Sequence, residues 1–324
     1  MTRVAVIASL DAARYTPHAL HSQEGIWVEK NCYIDLWIEL LHALKLEPRA
    51  CLGFTLAVDF EGDQWTFFKP SPDELRELYG VDVQELTVWR PLIDHAVEHL
   101  GEGKWISTEA DAFWLPDTAG TDYRHQRTKT TIVLNDIDVE AKGLGYFHNA
   151  GYFTLEGEDF VKTFRLDVPG DDAEFLPLFA ELVKLDRTVA KPEEDLKRAA
   201  QILLRKHVER RARPNPVARF EERFIRDLPQ LQDAGLATYH RWAFAGIRQL
   251  GAAAELASQH LHWLDEATFA PAIDATRQVA ADCKTLILKA ARAVNAKRPL
   301  DASATFANMA VAWDVAMSCV AAKA

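Results

Sequence analysis

The sequence predicts an α+β protein in two parts. An N-terminal domain, residues 1–168, would set a central helix on an antiparallel sheet, and an all-helical domain, residues 169–324, would follow. Three observations predict this. The stretch from Asn31 to Leu44 carries apolar residues at Ile34, Trp37, Ile38 and Leu41, and again at Leu36, Leu40 and Leu44. That apolar face is wide enough for a buried helix. Aromatic and β-branched runs then recur between 104 and 154, the composition of paired strands. Beyond 168 the chain is rich in Ala, Leu, Glu, Lys and Arg, with prolines between the helical stretches.

Taken in order, the first helix starts at Cys32, with Asn31 as its cap, and ends near Leu46, where Pro48 blocks continuation. Segments 50–57 and 65–69 have strand character. Ser71-Pro72-Asp73-Glu74 opens a helix, with a capping serine, proline at the first position and acids in the first turn, and Gly80 closes it. A strand is expected over 81–89 and a helix over 91–100, closed at Gly101. Strands follow at 104–115, 129–134 and 143–154, with a loop at 116–121 and a turn at Asn135-Asp136-Ile137-Asp138. Val168-Pro169-Gly170-Asp171-Asp172 reads as a break. Helices are then expected at 172–187, 193–212, 216–233, 236–264, 271–297 and 303–322. Pro192, Pro214, Pro216, Pro271 and Pro299 fall between them.

Composition narrows the function. A formal net charge of -11 argues against a general nucleic-acid binder, whose footprint would be basic. The four cysteines, Cys32, Cys51, Cys283 and Cys319, form no CxxC pair and suit a reducing cytosol. The apolar N-terminal run is short and broken by Asp11, unlike a secretory signal. No run reaches the 18 or more apolar residues of a membrane helix, so a cytoplasmic protein without membrane contact is expected. HExxH, Walker, GxGxxG and GxSxG signatures are missing from the sequence.

The chemistry centres on Cys32. A thiol in the first turn of a helix meets the positive end of the helix dipole, which favours thiolate. A small buried core cysteine fits the same residue equally well. A nucleophilic cysteine needs a base within reach in space. His125 precedes the 129–134 strand, and it also reads as an exposed loop histidine among Arg124, Arg127 and Lys129. His148 stands beside Asn149 in the next strand region, where turn chemistry is the plainer reading. The order Cys, His, Asn suits a papain-like site, in which an Asn or Asp orients the imidazole. An oxyanion donor would be the Cys32 backbone N–H with Gln23 or Asn31, Gln23 being preferred if Asn31 caps the helix. Asp111, Asp117, Asp136 and Asp138 could orient a histidine or hold a cation, but loop aspartates also form turns, and no metal site is assigned. A basic stretch over 197–226 includes Arg205, Lys206, Arg210, Arg211 and Arg213. It could steer an acidic partner, or be a solvated face paired with the interspersed glutamates.

Four segments carry a resemblance: Asn31-Cys32-Tyr33-Ile34-Asp35-Leu36-Trp37, Asp63-Gln64-Trp65-Thr66-Phe67-Phe68-Lys69, Leu115-Pro116-Asp117-Thr118 and Tyr146-Phe147-His148-Asn149-Ala150-Gly151-Tyr152. The chain resembles, over most of its length, a bacterial family of domains of unknown function, DUF1839. More distantly, the order of elements looks like the papain-like acyltransferases of aminoglycoside-antibiotic biosynthesis. Those enzymes take an aminoacyl group from the phosphopantetheine thiol of a carrier protein. The family is also similar to proteins encoded near amino acid:carrier-protein ligases. The resemblance implies a papain-like first domain and an acyltransferase or thioesterase with Cys32 as nucleophile and His125 as base. His148 or Asn149 would complete the site. It further implies an acidic acyl carrier protein, and a ligase, as partners. The protein would bind no cofactor of its own, and the carrier's phosphopantetheine arm would be substrate. In that family the histidine opens its strand, a place held here by Thr128, Lys129 or Thr130. The alternative is a non-catalytic binding module for a carrier protein or ligase. A cysteine peptidase would share the site.

Overall fold

Strand pairing organises the first unit. The computed structural model describes residues 3–168 and 177–324. Its strands are β1 (Val4–Ala5), β2 (Asp82–Glu85), β3 (Trp105–Asp111), β4 (Lys129–Asp138), β5 (Gly143–His148), β6 (Gly151–Glu156) and β7 (Ala180–Lys184). They form one antiparallel sheet in the order β2-β7-β3-β4-β5-β6. The long β4 pairs with β3 along its first half and with β1 near its end, where Val4 faces Ile137. A register shift between Leu134 and Asp136 bends β4 against β5. Gly145 lies opposite that bulge. A Cβ there would fall 1.9 Å from the Asp136 carboxylate and 2.1 Å from the Tyr152 hydroxyl, so only glycine lets those two meet.

Helix α1 (Cys32–Ala43) packs against β4, β5 and β6. Every residue from Ile34 to Leu41 is buried, Asp35 and Glu39 included. Burial of Leu36, Trp37, Ile38, Leu40 and Leu41 contributes roughly 1.5–3 kcal/mol per side chain, which fixes the helix and with it Cys32. Helices α2 (Pro72–Tyr79), α3 (Leu92–Gly101) and α4 (Glu158–Thr163) complete this unit. As expected, Ser71 caps α2 by accepting from the Glu74 N–H, and Gly80 closes it in the left-handed conformation.

The second unit holds α5 (Glu193–Arg210), α6 (Pro216–Ala234), α7 (Leu236–Ala243), α8 (Gln249–Ala296) and α9 (Ser303–Lys323). It also takes two segments from the first part of the sequence, 23–31 and 47–70. Buried Glu255 of α8 accepts from the backbone N–H groups of Ile26 and Trp27 at 2.7 and 2.8 Å. A Cβ on Gly251 would lie 2.7 Å from the Trp27 ring, so glycine is needed for the indole to lie against the helix.

Several elements differ from expectation. Segment 50–57 is part of a buried 3₁₀ helix, Pro48–Ala57, opened by Pro48 with Glu47 as its cap. Segment 65–69 keeps only an isolated bridge, Phe60 with Trp65. The expected turn at 135–138 is strand, because Asn135 is held in place by the Trp105 indole and by Ile7 on both sides of its amide. Of the helix expected at 172–187, residues 172–176 lie outside those described and 180–184 are β7, between β2 and β3. The first unit accordingly runs to Ala190 where a division at 168/169 was expected. Pro271 does not separate two helices. The chain breaks at Asp265, whose carboxylate caps the Thr268 N–H, and Pro271 sits in the first turns beyond. Helix α9 is long and apolar enough to cross a membrane by length and composition, with mean hydropathy 1.3, although Phe306, Met309, Trp313, Ala316, Met317 and Val320 are buried in the protein.

Candidate active site

Sheet register brings the site together. Leu134 pairs with Tyr146 and Val133 with Phe147. Side chains alternate along a strand, so Thr130, Tyr146 and His148 share one face. There the His148 Nε2 lies 2.8 Å from the Thr130 hydroxyl. Its Nδ1 lies 2.6 Å from Asp117 Oδ2, and the Tyr146 hydroxyl donates to Asp117 Oδ1 at 2.5 Å. The side chains of His148 and Asp117 are 2% and 4% exposed, so the pair is shielded from water and its Coulombic attraction is little screened. Burial and the adjacent Asp117 carboxylate push the Tyr146 phenol well above its usual range, which keeps it a donor.

Cys32 is the first residue of α1 and is partly exposed. Burial pushes its thiol above the ordinary value. The Thr130 hydroxyl pulls it back by hydrogen bonding, the Asp35 carboxylate raises it further, and the Thr131 backbone and its own N–H lower it. Thr130 is therefore the neighbour common to the thiol and the imidazole. Asp117 accepts the Nδ1 proton, which leaves Nε2 as the basic nitrogen facing Thr130. This arrangement can pass a proton from a neutral thiol through a hydroxyl to an imidazole held in one tautomer.

The residues named from sequence fall as follows. Cys32 and His148 belong to this cluster. Asn149 lies just outside it, in the two-residue turn between β5 and β6 at φ 43°, a conformation asparagine tolerates. His125 is exposed in the turn before β4, with its backbone N–H bonded to the Asp122 carbonyl. The structure does not join it to the Cys32 cluster, whose imidazole comes from the following strand. Gln23 and Asn31 belong to the second unit. Gln23 is exposed, and the Asn31 side chain donates to the Phe68 carbonyl at 3.1 Å. In the sequence Asp117 reads as one of several loop aspartates and as part of the Leu115-Pro116-Asp117-Thr118 segment, and Thr130 as one of three residues at a strand start where a histidine is expected. Pairing of β4 with β5, which sets Thr130 beside His148, is long-range and leaves no local signal.

The basic stretch divides. Arg219 binds Asp59 and the Phe60 carbonyl, and Arg223 binds Asp227 and the Gly62 carbonyl, so both anchor the 59–62 loop within the helical unit. Lys197 and Arg198 pair with Glu193 and Asp195. Arg205, Lys206, Arg210 and Arg213 are exposed around the end of α5. Arg211 is half-buried, donates to the Val208 carbonyl at 2.6 Å, and is held below the usual guanidinium range by burial and by Arg213. Among the described residues no group of three His, Cys, Asp or Glu side chains is placed to hold a metal ion.

The fold and site define a two-unit α+β protein with a helix-start cysteine beside an Asp–His–Thr chain. Two family models match the chain in succession. The DUF1839 N-terminal domain matches residues 16–185 and the DUF1839 C-terminal domain matches residues 193–322. The chain belongs to the DUF1839 family. No curated protein matches it.

Proposed function

We propose that the chain is an acyltransferase or thioesterase with Cys32 as nucleophile, acting on an acyl or aminoacyl thioester of a carrier protein. The observation that carries this reading is the Thr130–His148–Asp117 chain ending at the Cys32 thiol. The Cys32 proton passes to the Thr130 oxygen as the Thr130 proton passes to His148 Nε2. The thiolate forms a bond to the thioester carbonyl carbon, the bond to the phosphopantetheine sulfur breaks, and that sulfur leaves with the proton returned from His148. The acyl group on Cys32 is then taken by an amine, a thiol or water. Asp117 keeps the Nδ1 proton and steadies the imidazolium. The Cys32 backbone N–H, at the start of the helix, serves the oxyanion.

A papain-like layout is part of this proposal. Its support is a nucleophile opening a buried helix and an imidazole from the sheet that follows. Thr130 is one of the three residues at the strand start where those acyltransferases would carry histidine, and His148 reaches Thr130 from the neighbouring strand. Arg205, Lys206, Arg210, Arg211 and Arg213 form the proposed docking face for an acidic carrier protein, with an amino acid:carrier-protein ligase as a further partner. The phosphopantetheine arm is substrate, and no cofactor is assigned to the protein itself. Free thiols at all four cysteines suit the cytosol, the proposed location.

Release of the carrier thiol from an aminoacyl-carrier thioester tests the reading. Wild-type protein is expected to accelerate release and Cys32→Ala to return it to the background rate. Equal acceleration by both would leave the non-catalytic binding module as the better description.

A further inference from the structure

Helix α1 buries two carboxylates on one face, Asp35 and Glu39, four residues apart. Burying such charge without a partner costs several kcal/mol per ion. The partner is His21, whose side chain is fully buried. Its Nδ1 lies 2.5 Å from Glu39 Oε1 and its Nε2 3.0 Å from Asp35 Oδ1. A neutral imidazole has one N–H and cannot donate to both acids, so the bridged form is the imidazolium. Burial opposes that charge, but the hydrogen bonds to Asp35 and Glu39 outweigh it and raise the His21 pKa. Glu39 also accepts from the Tyr15 hydroxyl at 2.6 Å and from the His18 N–H at 3.0 Å. Asp35 lies three residues beyond Cys32, one turn along the helix, and its negative charge acts on the thiol.

We propose that His21 is a positioning residue for Cys32, its imidazolium holding Asp35 in a neutralised pair and so governing how readily the thiol one turn away ionises. Tyr15, His18 and Glu39 set the imidazolium in place, and Asp35 transmits its charge to the thiol. The inference rests on the reading of Cys32 as the reacting group. Alkylation requires no acyl substrate, so a failed titration and a failed acyl transfer can be told apart.

The test is the rate of Cys32 carboxamidomethylation by iodoacetamide against pH, read at the Cys32 peptide by mass spectrometry so that Cys319 does not contribute. In His21→Gln the midpoint is expected to rise by about one pH unit, which is about tenfold slower labelling below the midpoint, on the scale of one nearby charge in a partly buried site. In Asp35→Asn the midpoint is expected to fall, and the double variant to return towards wild type. A purely structural role would move both single variants in the same direction. Unchanged midpoints, or shifts of one sign, overturn the proposal. Should His21→Gln fail to fold, Asp35→Asn decides alone: a lower midpoint supports the proposal, and an equal or higher one overturns it.

Discussion

Two buried histidines in the first unit have opposite surroundings. His148 has one carboxylate, Asp117, and one hydroxyl, Thr130, so one nitrogen keeps its proton and the other is free to exchange one. His21 has a carboxylate on each nitrogen, and the two together favour its imidazolium form. In the proposed reaction the same residue type serves as a proton carrier in one place, and in the other it is a structural cation. The number of acidic partners decides which, more than burial does, since both side chains are 2% exposed or less.

The largest expected effect is at the sulfur. Cys32→Ala abolishes acyl transfer to the protein, measured as loss of carrier-thiol release. Next comes the imidazole. His148→Asn slows release by about 100-fold or more, the usual range for removing a positioned base. His125→Ala leaves it unchanged. Equal losses from the two histidine variants would break the distinction drawn here. Thr130→Val slows release by about tenfold, and Thr130→Ser restores it, because the relay needs the hydroxyl and not the methyl group.

The cationic histidine predicts a stability effect. His21→Gln leaves two buried carboxylates without their cation and lowers unfolding free energy by about 3–5 kcal/mol, measured by urea denaturation at pH 6. The pH dependence has a definite sign. His21 is raised above its ordinary 6.5, so its contribution is complete below that pH and is lost as pH rises through the folded value. Glu39 is lowered from 4.5 despite its burial, through its hydrogen bond to His21, so its contribution is complete above that pH and is lost as pH falls through the folded value. The pair stabilises most between pH 4.5 and 6.5, and His21→Gln flattens that maximum. The smallest effect concerns docking. Changing Arg205, Arg210 and Arg213 to Glu raises KM for an acidic carrier several-fold at low salt with kcat held, and added salt erases the difference.

The sequence made some of this legible and hid the rest for physical reasons. Apolar periodicity over Ile34 to Leu41 announced a buried helix, and so placed Cys32 at its start. The capping serine and closing glycine of α2 were equally plain, because these signals are local. The partner of the thiol was not local. His125 stood closer to the expected strand start, but pairing of β4 with β5 carries His148 over Thr130, and a register of that kind cannot be read from either strand alone. Strand β7 escaped for a related reason. Ala180-Glu181-Leu182-Val183-Lys184 is short and helix-compatible by composition, and only its place between β2 and β3 makes it a strand. Nothing near His21 in the sequence reveals the two acids it bridges.

The proposed reaction passes through an acyl group on Cys32. Intact-mass spectrometry of the protein after incubation with an aminoacyl-loaded carrier tests it most directly. A mass gain equal to the aminoacyl group is expected, located on the Cys32 peptide and missing from Cys32→Ala. Thioester turnover at the wild-type rate by Cys32→Ala, with no adduct on either protein, would contradict it.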